Sequence, residues 1–273
     1  MPPDVCLVEV PFMCGDPGHA AAEGPSRAAA AVGRAGGCSV AVAPDARPGT
    51  IAASLAVNRG LTACVRAAVA RGEAPLVLAG SCDAAMGVVA GLDRPGLGVV
   101  WLDAHGDFNT PESSATGFLP GMSLAIVAGH CHQEVWAQLG GGRPVRESDI
   151  ALLGVRDLSP AAERERLERS DVRVVGWRDG AAERAVCAVL RRLSAREIYL
   201  HVDLDALDPR VAPGVVDDPV PGGLTLDDAT AIVREVRERF AIRAGAITTY
   251  VPARDRDDRT LRAIVRLSEV IAG

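Results

Sequence analysis

Apolar residues recur along the chain in short runs, separated by longer stretches rich in alanine and arginine. VCLVEV (5–10), APLVLAG (74–80), GVVWLD (98–103), IALLGV (150–155), VRVVGW (172–177), EIYLHVDLD (197–205) and AGAITTYV (244–251) are rich in Val, Ile and Leu. They lack a clear polar alternation, as strands covered on both faces should. Between them, 51–71, 83–92, 160–170, 181–194 and 226–240 read as helices. The last follows Thr225, an N-cap residue type, and carries Asp227 and Asp228 in its first turn. Strand and helix alternating over the whole length predict an α/β fold, a three-layer α/β/α sandwich with a mainly parallel central sheet. No repeat or linker divides it, so residues 1–273 are expected to form a single domain. In such sheets ligands bind where loops leave the carboxyl ends of the strands.

Composition narrows the partners. A chain of 273 residues with 48% hydrophobic and 23% charged residues can bury a sizeable core. Its net charge of −6 and nine Phe, Trp and Tyr argue against nucleic acid and an anionic membrane as partners. MPPDVCLVEVPFMCGD has no basic segment leading into a long apolar one, and no window is apolar enough to span a membrane. Seven scattered cysteines without CxxC spacing suggest no disulfide framework and a reducing compartment. The expected location is therefore cytoplasmic.

The polar clusters lie at strand ends. WLDAHGDFNTPE (101–112) carries Asp103, His105 and Asp107 at every second position, a spacing that directs three side chains to one point. HVDLDALDP (201–209) ends another strand with Asp203 and Asp205, again two apart. Buried carboxylates this close repel, at a cost on the order of several kcal/mol without a cation. A pair of divalent metals removes that cost, with aspartates bridging the two ions.

LDAHGDFNTP, SSATGFLPGM, HVDLDALDP and PVPGGLT, with EVPF and EGP near the N-terminus and LGVRDLSP at 153–160, resemble the ureohydrolases, the family of arginase and agmatinase. The likeness spans nearly the whole chain. It implies a fold shared with deacetylases, a binuclear manganese centre, and attack of a metal-bridging hydroxide on a guanidinium or related carbon. It also implies a homo-oligomer, a trimer or hexamer. Position by position, Asp103 and Asp203 would bridge the metals, and His105 and Asp205 would complete one site. Asp107 would serve the other site and hold the hydroxide by a hydrogen bond.

The chain departs from the family at several positions. The sixth ligand, a histidine in relatives, falls on Cys82 in AGSCDAAMG. As a thiolate, Cys82 would shift preference from manganese towards zinc or iron; otherwise it is a small buried residue, with Asp83 beside it as a substitute. This cysteine and GDFNTPESSATGFLPGM resemble the branch that contains an Nω-hydroxyarginine hydrolase of specialised metabolism. The family's proton-handling histidine is Pro120, an asparagine that contacts the amino-acid head is Phe118, and an acid that contacts the α-amino group is Ser159. The glutamate that pairs with the guanidinium is Thr249. A threonine cannot replace that bidentate pair, which points to a less cationic substrate or to lost hydrolysis.

The expected function is thus a metal-dependent hydrolase that cleaves a C–N bond of a guanidino, hydroxyguanidino or related linear amidine compound. Asn109, Thr116 and Thr249 would line the pocket. The alternative is a non-hydrolytic relative that serves as a binding or partner subunit. Four other features invite a lesser role. His130 and His132 should point apart, His19 lies in a loop near the expected pocket mouth, His201 should pack in the strand beside the site, and RDRDDR (254–259) reads as a solvated loop or helix start.

Overall fold

A computed structural model describes residues 4–33, 37–41, 47–177, 182–215 and 219–273. The strands are β1 (Val5–Val10), β2 (Cys38–Ser39), β3 (Ala74–Ala79), β4 (Gly98–Leu102), β5 (Ile150–Val155), β6 (Arg173–Gly176), β7 (Glu197–Asp203) and β8 (Ala241–Thr248). The helices are α1 (Gly24–Val32), α2 (Ile51–Ala70), α3 (Ala84–Leu92), α4 (Ser123–Val127), α5 (Gln133–Gln138), α6 (Ala161–Arg169), α7 (Ala182–Leu190), α8 (Leu226–Arg239) and α9 (Arg259–Ala272). The eight strands form one sheet in the order β2-β1-β3-β8-β7-β4-β5-β6. Every pairing is parallel, so the mainly parallel expectation holds in full.

Successive strand residues face opposite sides, and each side has its own core. Val77, Val99, Trp101, Ile150 and Tyr199 pack with α2, α3, α4 and α5. Leu76, Val100, Leu102, Leu153 and Leu200 pack with residues of α1, α7, α8 and α9. Both faces are buried, and this explains the unbroken apolar runs. Thr225 caps α8 as expected: its hydroxyl accepts from the Asp228 N–H at 3.1 Å, and the Asp228 carboxylate accepts from the Thr225 N–H at 2.9 Å. Such a box is worth about 1 kcal/mol.

Three expectations are adjusted. The last strand lies three residues earlier than 244–251, because Ala241 and Ile242 already pair with Glu197 and Ile198, and the chain turns out of the sheet at Thr249. The structure adds α1, β2, α4, α5 and α9 to the elements predicted, and α7 ends at Leu190 rather than 194; residue 181, where that helix was expected to begin, lies outside the described residues. Cys38 of β2 is disulfide-bonded to Cys64 of α2, and the other five cysteines are free. One pair is not a framework, yet it removes the cysteine argument for a reducing compartment. Among the described residues no helix is long and apolar enough to cross a membrane.

Candidate metal centre and pocket

The four central strands carry the polar cluster. Leu102 pairs with Val202, which places Asp103 and Asp203 side by side as β4 and β7 end. Asp203 pairs in turn with Thr248, and Thr248 with Ala79, three residues before Cys82. Between β3 and β4 the chain passes over β8 and β7, so the cluster sits at a switch point of the sheet, where ligand sites form. A cavity of about 470 Å³ opens there. Cys82, Asp103, His105, Asp107, Asp203, Asp205, Asn109, Thr116 and Thr249 all line it, so the structure gathers every predicted site residue in one place.

The carboxylates are fixed by specific donors. Trp101 Nε1 donates to Asp103 Oδ2 at 2.9 Å, and the His105 N–H donates to Asp103 Oδ1 at 2.7 Å. The Asp205 N–H donates to Asp203 Oδ1 at 2.9 Å, and the Ala104 N–H donates to Asp205 Oδ1 at 3.0 Å. Thr249 Oγ1 donates to Asp203 Oδ1 at 2.6 Å, and Cys82 Sγ donates to Asp203 Oδ2 at 2.8 Å. Asp107 adopts a left-handed backbone (φ 47°), and its carbonyl accepts from the Leu124 and Ala125 N–H groups, which pins the loop to α4. Its Oδ2 is buried without a hydrogen-bond partner among the described residues. A carboxylate oxygen buried in an acidic cluster without a donor is one that a cation could satisfy.

Without a cation the cluster can be neutralised only by protons. Burial, then the charge of Asp205, pushes Asp103 up to about 6. Burial raises Asp107 and Asp203 well above the carboxylate range, with Asp103 among the charges adding to it. Burial, then Asp203, raises the Cys82 thiol. Burial opposes the charge on His105, but its bonds to Asp103 and Asp205 prevail and hold it at about 12. His105 Nδ1 is 3.0 Å from Asp205 Oδ2 and 3.4 Å from Asp103 Oδ1, the position a cation would take. Burial also raises Asp205, but the His105 interaction outweighs it and the net shift is downward. The donor atoms fall into two groups that share Asp103: Cys82, Asp103, His201 and Asp203, and Asp103, His105 and Asp205, each within 4.8 Å of one another. Buried oxygen, nitrogen and sulfur donors in this arrangement suit two divalent ions.

The sequence profile of the arginase family matches residues 3–272. The chain belongs to the arginase family. An arginase of Bacillus caldovelox is 32% identical over 239 residues, covering 84% of this chain and 78% of that protein. Among solved structures, an arginase from Bacillus cereus superposes with a TM-score of 0.86 at 27% identity, covering 99% of this chain and 98% of that one. An arginase from Bacillus subtilis subsp. subtilis str. 168 gives 0.88 at 26% identity, with the same coverage.

Within this arginase-family pocket the departures stand where the sequence placed them: Pro120, Phe118 and Ser159 line the cavity beside Thr249. Thr249 is β-branched yet has φ 74°, a strained combination, and its hydroxyl is shared between Asp203 Oδ1 and the Thr248 carbonyl, each 2.6 Å away. His19 does not line the cavity; its Nδ1 accepts from the Ala21 N–H at 3.2 Å and caps a short helix. His130 pairs with Glu147 at 2.6 Å and His132 lies 3.4 Å from Glu134, both away from the carboxylates. Asp83 accepts from the Ser54 and Ser81 hydroxyls and holds the Cys82 turn from behind.

Glu163, Trp101 and Thr248 escape the sequence reading. Glu163 of α6 is buried, lines the cavity, and accepts from the Phe108 N–H at 2.9 Å. Burial pushes it up to about 7. Its one sequence signal is the pairing of Glu163 with Leu167, four residues on and also buried, which marks the inner face of α6.

Proposed function

We propose that this chain is a dinuclear metal-dependent amidinohydrolase that cleaves a C–N bond in a guanidino-type compound less cationic than a plain guanidinium, a hydroxyguanidine such as hydroxyarginine foremost. The observation that carries this reading is the convergence of four aspartates, a histidine and a cysteine on the floor of one cavity, with Asp107 Oδ2 left unpartnered. Cys82, Asp103, Asp107 and Asp203 would hold one ion, and Asp103, His105, Asp203 and Asp205 the other. Two such ions, manganese or with Cys82 zinc or iron, would supply Lewis acidity and a water acidic enough to react near neutral pH.

The chain's own residues supply the rest. Asp107 accepts a hydrogen bond from the attacking water and fixes its direction. Trp101 and Thr249 hold the Asp103 and Asp203 carboxylates in place through the bonds described above. Asn109 and Thr116 contact the substrate along the cavity wall. The leaving amine needs a proton, which Pro120 cannot donate. Glu163, the carboxyl lining the cavity beyond the cluster, sits near 7 and can carry that proton at neutral pH. The threonine at 249 favours a less basic group, since no carboxylate is there to form a bidentate pair. The complete set of aspartates supports hydrolysis over a purely binding role. The protein is also expected to be a homo-oligomer, which light scattering would test.

The test is a panel of arginine, agmatine, hydroxyarginine and guanidinobutyrate incubated with metal-loaded protein, with urea and hydroxyurea read by mass spectrometry. Hydroxyurea from hydroxyarginine is expected, with Asp107→Asn at least a hundredfold slower, a usual size for loss of a positioned acid or base. No product from any member, or full turnover by Asp107→Asn, contradicts the proposal.

A further inference from the structure

His201 of β7 stands one rung from the carboxylates, and the ureohydrolase likeness assigns it no part in the site. It is fully buried, as are Trp101 and Tyr199. The pairing Trp101↔His201 brings the two rings into a parallel stack with centroids 3.6 Å apart, and this fixes the imidazole plane. Tyr199 OH lies 2.8 Å from His201 Nδ1. With Nδ1–H donating to that phenol oxygen, the Nε2 lone pair faces the cluster, the arrangement by which outer groups orient ligating histidines. Among the described residues Nε2 meets only the Thr248 hydroxyl, at a long 3.4 Å, and that hydroxyl is also within 3.4 Å of Cys82 Sγ and 3.3 Å of Asp203 Oδ2. A hydroxyl spread over three groups engages each of them weakly.

We infer that His201 is a ligand, through Nε2, of the ion on the Cys82 side, which makes that half of the centre a sulfur, nitrogen and carboxylate site. This rests on the dinuclear reading above. Cys82 Sγ, His201 N and an oxygen each of Asp103 and Asp203 lie within 4.8 Å of one another. Donors that share one zinc, at bonds of about 2.0–2.3 Å, stand roughly 3–4 Å apart, so side-chain rotations of less than a bond length bring this set onto one ion, with Asp107 beside it. Thiolate with imidazole selects zinc, iron or cobalt over manganese. Asp103, His105 and Asp205 offer only one nitrogen and hard oxygens. The two ions are therefore inequivalent: the Cys82–His201 side takes zinc or cobalt first, and the His105 side keeps room for manganese.

The test uses the full-length protein, stripped with chelator, labelled with ¹⁵N-histidine and titrated with cobalt(II). Bound cobalt gives the ring N–H of an imidazole that ligates it a large contact shift, transmitted through the metal–nitrogen bond, that a merely neighbouring ring lacks. Displacement in this contact-shifted sense counts histidine ligands directly in the unmodified protein. The first equivalent should displace one imidazole together with the appearance of a thiolate-to-cobalt absorption band, and the second equivalent should displace another. His201→Gln, which retains side-chain size, should abolish the first set, leave the second, and weaken the first binding step by more than a hundredfold, the upper bound for losing a merely orienting group. His105→Gln should do the reverse. Two bound cobalt ions with a single displaced imidazole, in a spectrum that His201→Gln leaves unchanged, overturn the assignment of His201 and leave the dinuclear reading standing. Stripped protein that takes up no cobalt overturns both.

Discussion

Glu163→Gln removes one ionisable group from the cavity wall and keeps its shape. The glutamine oxygen can still accept from the Phe108 N–H, which Glu163 Oε1 meets at 2.9 Å. In metal-free protein, burial raises the Glu163 carboxyl from an ordinary 4.5 to about 7. Below 4.5 it is protonated in both folded and unfolded chains and contributes no pH dependence. As pH rises towards 7 the unfolded chain releases this proton and the folded chain retains it, so stability falls with pH across that window and levels off above it. At about 1.4 kcal/mol per pH unit, the total loss comes to about 3 kcal/mol. Glu163→Gln should escape it. Urea unfolding of chelator-treated wild-type and variant protein, followed by tryptophan fluorescence from pH 4.5 to 8, gives the difference in stability at each pH. That difference should move in favour of the variant by about 3 kcal/mol between the two ends. A difference that stays constant with pH, or that favours the wild type as pH rises, refutes the claim that a buried, protonated glutamate lines the pocket.

Metal removal should have its own pH signature. Asp103 is raised to about 6, and Asp107 and Asp203 are raised further, so metal-free protein loses stability as pH climbs past the ordinary carboxylate range, whereas bound ions stabilise the ionised forms. The gap in melting temperature between metal-loaded and chelated protein should therefore widen from pH 5 to pH 8, and a gap that narrows contradicts this. Thr249→Glu should restore a carboxylate for a cationic group and lower KM for arginine by about tenfold or more, since a hydrogen bond to a charged partner is worth about 1.5–3 kcal/mol. Equal changes in KM for arginine and hydroxyarginine would show that position 249 does not read substrate charge.

The parts of the fold that depend on local pattern were legible in the sequence. Seven strands announced themselves as buried Val, Ile and Leu runs, and Asp103 and Asp203 declared the sheet's carboxyl edge because each ends such a run. The offset of β8 was not legible, since Ala241 and Ile242 join the sheet by pairing with β7, with Arg243 skipped in a register shift, rather than as part of an apolar run. Helix α9 carries a readable stripe, Ala263, Ile264, Leu267, Val270 and Ile271, all buried; the charged RDRDDR run before it masks the start. Partners distant in the sequence stayed hidden. That Trp101 stacks on His201 follows from the β4–β7 register, and that Glu163 faces the cavity follows from the way α6 packs over Gly106 and Phe108. The pairing of Cys38 with Cys64 likewise depends on β2 lying beside α2. The candidate ligands were written in strand ends; their surroundings were written in register.

The central claim is that hydrolysis of a guanidino-type compound requires two divalent ions held by this one cluster. Titrating chelator-stripped protein with manganese or zinc, while urea or hydroxyurea release is followed, tests it directly. Turnover should begin only as the second ion binds and should saturate at two ions per chain. Saturation of both sites without product, or full turnover with one ion per chain, contradicts the account.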